Sequence, residues 1–488
     1  MDLKSVSKGS FYLMASTFIF MVTGYLIHFA LARLLGPVSY GIYGVVVSLI
    51  TIFNLVLTSG IYQAVSKHIS AGEDPEAVKK AAINLQLAFS AVLFVAYEVL
   101  SGTFAVLLGD SSLAYYIRLS GFIMIGYSLY SVITGYFNGL GKYKAQAGIQ
   151  TLYSFVKTFF MVGFVVLGFS VGGAFIGFAF APILAFLVGL YISQGKSKVD
   201  LDWKILADFA WPVILYTVAL NFLISVDLFS VNSILGSVAE TGYYNAATTI
   251  ARLPYSILCA IGVALFPAIS MFYSNGEKKR AKTYLKEAAR YLIILITPAT
   301  ALIIVTSPVL ISLLYTGTYL EASEPLRILS VGFAFLTIFS VLASCLMAIG
   351  KTKLPMAISL SLGLLSIILN RLLIPFYGLN GAAYATTIAC ILGTIAICAF
   401  SIKNLGNFIS WSSILRVLLA SGIMVAASPF LAVTSKWLLP AEYLILGAIY
   451  LLVLLATREI TEKDFSRIYN AMPGKARSLL MGIKLYRK

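Results

Sequence analysis

The chain has 488 residues, of which 60% are hydrophobic and 11% charged, and its mean hydropathy is +0.94. Soluble globular domains carry about a quarter charged residues, so these values exclude that class and place the chain in a membrane. The formal charge of +16 fits attraction to anionic lipid headgroups and topology, and no nucleic-acid partner is expected.

Apolar runs of about 20 residues, enough to cross a roughly 30 Å core at 1.5 Å per residue, recur from Gly9 to Arg458. Hydropathy marks about fourteen spans, near 10–34, 39–65, 81–108, 113–138, 145–168, 170–193, 208–235, 241–270, 288–315, 325–349, 354–376, 379–402, 412–434 and 440–457. The first is full length and runs into Arg33, so it reads as a retained span rather than a cleaved signal. The tail, alternate loops and final segment collect 28 of the 35 Lys and Arg, with Arg33, Arg118, Arg327, Arg371 and Lys436 opposite them. Positively charged short loops stay cytoplasmic, which places both termini on that side of a cell membrane. Beyond Arg458 the tail is basic, with Phe465, Ile468, Tyr469 and Leu479 available to lie on the leaflet.

Within the spans, ionisable residues sort by depth. Arg118, Arg327 and Lys436 lie near outer helix ends, where snorkelling accounts for them. Arg33 and Arg371 sit somewhat deeper, and His28 reads first as a packing residue and second as a proton relay. Glu98 on span three, Lys157 on span five, Asp227 on span seven and Arg252 on span eight share one layer. Each is about ten residues from the outer end, about 15 Å deep, which is the midplane. Asp227 with Arg252, and Glu98 with Lys157, are placed to pair as structural ion pairs. The functional alternative is a polar cavity whose Lys157 and Arg252 attract an anionic group while an acid supports coupling to Na+ or H+. Asn54 and Asn221 are among the amides available to sugar hydroxyls, or to tie helices together.

The chain also echoes itself. Gly139-Leu140-Gly141-Lys142-Tyr143-Lys144 answers Gly350-Lys351-Thr352-Lys353, Val171-Gly172-Gly173-Ala174 answers Asn380-Gly381-Ala382-Ala383, and Leu35-Gly36-Pro37 answers Leu235-Gly236-Ser237. Six spans separate the copies, so the repeats share one orientation about an axis along the membrane normal. The fold expected is all-α and polytopic: a six-helix lobe over 1–200, a second over 201–405, two further helices over 406–458 and a basic cytoplasmic tail over 459–488.

Other chemistry is poorly supplied. Gly168-Phe169-Ser170-Val171-Gly172 matches a hydrolase elbow but lies in a tight turn, and the chain has only His28 and His68 as bases. Gly350-Lys351-Thr352 lacks the first glycine and the strand of a phosphate loop. Four cysteines at no metal-ligand spacing imply neither a disulfide framework nor zinc. No cofactor is expected, and no loop is long enough for a catalytic domain, as a membrane glycan polymerase would need.

Leu31-Ala32-Arg33-Leu34-Leu35-Gly36-Pro37 with Tyr40-Gly41-Ile42-Tyr43 resembles the first outer turn of the polysaccharide-export flippases of the multidrug, oligosaccharidyl-lipid and polysaccharide exporter superfamily. Ser225-Val226-Asp227 resembles the family's seventh span, Gly242-Tyr243-Tyr244-Asn245 through Phe266-Pro267-Ala268 its eighth, and Tyr377-Gly378-Leu379-Asn380-Gly381 the turn before its twelfth. The resemblance covers nearly the whole chain in order. It implies a V-shaped pair of lobes that flips a lipid-linked oligosaccharide to the outer leaflet by alternating access, without being an enzyme. It also implies a cavity arginine at Arg252; Arg33, in the first span, stands nearer the outer end than such a residue should. A cation-coupled multidrug exporter of the same superfamily is the alternative, although cationic cargo would prefer acids to Lys157 and Arg252.

Overall fold

The computed structural model describes residues 3–195, 201–431, 436–461 and 464, without side chains for residues 3–10, 208–213 and 216. The apolar face proposed for the tail from Phe465 onward, and the side chains of Lys4 and Lys8, lie outside the described residues. The helices are α1 (Leu3–Ser70), α2 (Pro75–Leu107), α3 (Leu113–Gly139), α4 (Tyr143–Phe164), α5 (Ser170–Ile192), α6 (Lys204–Leu235), α7 (Val238–Ser274), α8 (Lys278–Leu314), α9 (Ser323–Ala348), α10 (Lys353–Leu405), α11 (Trp411–Leu431) and α12 (Leu439–Ala456). Among the described residues there is no strand. In hydrocarbon every backbone N–H and C=O must be satisfied within its own segment, which leaves helices as the solution for runs of this composition.

Against the fourteen spans expected, eleven stretches are long and apolar enough to cross a membrane, and three of these, of 60, 50 and 53 residues, double back. In α1 the reversal is at Gly36, whose φ of 73° is the left-handed region open to glycine. His28 and Tyr40 lie either side of it and share a 2.9 Å hydrogen bond, whereas twelve residues of straight helix would hold them about 18 Å apart. Gly378, at φ 54°, does the same in α10, bringing the Leu362 side chain against Gly393. The third reversal, at Gly168, joins α4 to α5 through a π turn. Two of the echoes in the sequence thus fall on matching backbone, Gly36 with Gly236 and Gly141 with Gly350 all having positive φ, and the third is preceded in each copy by a positive-φ glycine, Gly168 and Gly378.

α1 to α5 pack on one another, and α6 to α10 do likewise; the two groups meet mainly where α1 lies against α6 and α7. α11 and α12 pair with each other and lean on α8, forming a small second core of Ile294, Val417, Ala420, Met424, Leu446 and Tyr450. Tyr450 donates to the Ile294 carbonyl at 2.8 Å, and the Tyr443 and Thr306 hydroxyls bond at 2.6 Å, so α12 is tied to α8 by polar contacts that hydrocarbon does not compete for.

Candidate functional site

Arg252 stands on α7 two residues before Pro254, which cannot donate to the carbonyl one turn back and so loosens the helix there. Its guanidinium donates to the Ile224 carbonyl on α6 and lies 5.6 Å from the Phe333 ring. Its Nε is buried and has no hydrogen-bond partner among the described residues. Lys157 comes from the other group, on α4, with Nζ 3.8 Å above the Phe178 ring and 6.0 Å from that of Tyr153. A cation over aromatic faces retains electrostatic support while both keep a partly open surface. His28 lies within electrostatic reach of both Lys157 and Arg252.

Neither expected ion pair forms. Asp227 shares the layer of Arg252 and feels its charge, but no contact joins them among the described residues. Asp227 is instead 0% exposed, accepting from Tyr244 Oη at 2.8 Å, Thr386 Oγ1 at 3.1 Å and the Leu228 N–H at 2.8 Å. Hydrogen bonds to all sides satisfy the carboxylate inside the second bundle and turn it away from the interface. Glu98 turns toward α3, against Gly121, with Arg118 as its cation, and one of its oxygens is buried without a partner. It does not reach Lys157. Equal depth places two residues on one layer, but the direction around each helix decides whether they meet.

The amides make no hydrogen bond to the cations among the described residues. Asn221 donates to its own helix at the Thr217 carbonyl, 2.9 Å away, and Asn54 is buried with its side-chain oxygen unpartnered. Arg33 is a clasp between the groups: Nε donates to the Leu314 and Tyr315 carbonyls, both at 3.0 Å, and an Nη donates to Leu313. These are the last carbonyls of α8, which have no partner within the helix and carry its negative dipole end. Arg327 is likewise engaged, with Glu324 at 2.8 Å and Ser307 at 2.9 Å.

The bonds between the two groups cluster at the Gly36 end. Tyr319 donates to the Ala32 carbonyl at 2.9 Å, and Asn232 to the Leu108 carbonyl at 2.6 Å. Tyr315 packs edge-on against Phe29 and tilted against Tyr40 and Tyr319, with ring centroids 5.5, 6.0 and 5.2 Å apart, a buried aromatic seal worth more than its apolar area alone. Sequence reasoning missed this seal; its trace was the tyrosine pair Tyr40 and Tyr43, matched in the echo by Tyr243 and Tyr244. Toward the interior, Tyr25 and Ser256 bond across the groups at 3.2 Å on an exposed surface. His28 connects the seal to the cations through its bond with Tyr40.

Backbones cross closely in the seal: a side chain at Gly41 would run into the Val238 carbonyl, and one at Gly242 into that of Pro37. Gly41→Val is therefore expected to hold this end open. After the four native cysteines are replaced by Ser, Ala32→Cys should react with a water-soluble maleimide severalfold faster in the Gly41→Val protein; equal rates would show that closure does not depend on this crossing.

The family model described as "Polysaccharide biosynthesis protein" matches residues 30–324, and that of "Lipid II flippase MurJ" matches residues 203–452. The lipid II flippase MurJ of Bacillus subtilis is 24% identical over 79% of this chain and 80% of its own length. An uncharacterized membrane protein of Methanocaldococcus jannaschii is 32% identical over 31% of this chain and 30% of its own. Among solved structures, "Lipid II flippase MurJ, inward closed conformation" superposes with a TM-score of 0.77 at 20% identity over 91% of this chain and 98% of that one. The inward-facing conformation of a multidrug resistance MATE family transporter follows at 0.69, with 15% identity, 79% and 94%. Fold and family models agree: the chain belongs to the polysaccharide-biosynthesis and lipid II flippase family.

Proposed function

We propose that this protein carries a lipid-linked oligosaccharide from the cytoplasmic to the outer leaflet, with the phosphate or acidic group of the cargo held between Lys157 and Arg252. One observation carries the reading: two cations from opposite helix groups, expected from the sequence at mid-membrane depth, have no carboxylate in contact among the described residues, and Arg252 keeps a buried N–H unpaired there. Bare cations are costly in a bilayer, and an entering anion offsets that cost through charge-assisted hydrogen bonds of about 1.5–3 kcal/mol each. Because each group supplies one cation, the cargo bridges the lobes and favours their rearrangement.

In this reading the basic loops and both termini are cytoplasmic, the Gly36 end is the outer gate, and the structure is the loading state, closed outside. Residues 1–200 and 201–405 are the rocking lobes, 406–458 the two added helices, and 459–488 the cytoplasmic tail. Glu98, with a buried oxygen that has no hydrogen-bond partner among the described residues, is the residue for Na+ or H+ coupling, whereas Asp227 is sealed and acts by fixing α6 to α7. That sealing also disfavours a cationic drug as cargo. In vesicles, a fluorescent lipid-linked oligosaccharide should become accessible to an external lectin faster with the protein than without it. Transport of small organic cations with no acceleration of the glycolipid would overturn the assignment.

A further inference from the structure

The geometry points to a binding site for an anionic phospholipid between α8, α9, α10 and α11, lined by neither Lys157 nor Arg252. α11 leans on α8 and α12 while its packing on α9 and α10 is slight, and the wedge left open has a volume of about 510 Å³. Its walls are apolar, built from Leu285, Phe335, Ile338, Val341, Ile402 and Ile414. A dry void of this size forfeits the dispersion contacts of its lining, and in a bilayer the available filler is an acyl chain.

The mouth selects the headgroup. Lys286 lines it, Lys282 lies one turn earlier on α8 with its stem against Gly406, and Lys403 follows Ile402 on α10. Lys282 and Lys286 are exposed. The neighbouring acid Glu287 lies on a different face of α8, beside Lys279 and Arg280, and Arg290 is engaged by Glu459 and Asp464. Trp411, 68% exposed, stands at the entrance, as tryptophan does at the headgroup level. Apolar walls under a rim of exposed lysines match acyl chain and phosphate together, the arrangement by which basic pockets between membrane helices hold anionic headgroups. The lipid would complete the packing of α11 against the second lobe.

The test uses the full chain in detergent. Phosphatidylglycerol should raise the thermal unfolding temperature by several degrees more than phosphatidylcholine with the same chains. Lys282→Gln with Lys286→Gln should remove that difference, and mass spectrometry should show about tenfold less co-purified anionic lipid. Ile338→Trp, which fills the wedge, should lower retained lipid with the lysines intact. Equal stabilisation by both lipids, equal stabilisation by inorganic phosphate, or unchanged retention in the lysine variant would each overturn the proposal. None of these readouts depends on flipping.

Discussion

Arg252→Ala lowers the flipping rate about 10- to 100-fold, which corresponds to losing one charged hydrogen-bonding contact of about 1.5–3 kcal/mol to the cargo. Arg252→Lys retains the charge but not the planar fork and falls between the variant and the native protein. Lys157→Met gives a similar loss from the other lobe. Because Arg252 also donates to the Ile224 carbonyl, each variant is checked for an unshifted unfolding temperature and elution profile. A full flipping rate in Arg252→Ala would remove this residue from the route.

Arg290→Met has the largest expected effect on stability. Arg290 binds Glu459 at 2.7 Å and Asp464 at 3.1 Å, and these acids are only 3% and 5% exposed at the side chain. Removing one partner from a buried pair costs about 3–5 kcal/mol because it leaves a desolvated charge behind. Arg416, 3.4 Å from Glu459, compensates in part, so the loss belongs at the lower end. The network joins α8 to the segment after α12, and Ser413 of α11 also donates to Glu459; protease cleavage just after α12, around 457–461, should therefore appear at lower temperature in the variant. Unchanged cleavage and unfolding would mean that the added helices are held by their apolar contacts alone.

The same network has a pH signature. Burial alone would raise the Asp464 carboxyl, but hydrogen bonds from Arg290, Tyr291 and Thr461 hold it well below the usual carboxylate range. A depressed folded value gives stability that is fully present above the unfolded value of about 3.9 and is lost as pH falls toward the folded one. Acid should therefore destabilise the native protein below about pH 4, and Arg290→Met should lose much of that dependence. An identical slope in both would assign the acid sensitivity elsewhere.

The sequence made the helices legible because composition and hydrogen-bond satisfaction leave little choice in lipid. It also showed where the chain turns: the glycines at 36, 168 and 378 punctuate apolar runs and prove to be reversals. The partners of the charges were not legible. Asp227 and Arg252 agree in depth, yet Tyr244 and Thr386, 17 and 159 residues away along the chain, draw the carboxylate off. Arg33 at a helix end suggested snorkelling or a cavity; its role as a cap on α8 depends on where α8 ends, 281 residues later. The basic excess of the final segment masks, in the sequence, the two acids that anchor Arg290.

The route itself is tested most directly by photo-crosslinking. With a benzophenone amino acid in place of Ser256, beside Arg252 on the exposed inter-lobe surface, illumination with a radiolabelled lipid-linked oligosaccharide should yield an adduct that is lost when Arg252 is also replaced by Ala. The same probe at Leu444, 77% exposed on α12, which packs on α8 and α11 and so supplies a bilayer-facing control, should give no glycan adduct in either protein. Labelling at Leu444 but not at Ser256, unaffected by Arg252, would contradict passage of the cargo between the two cations.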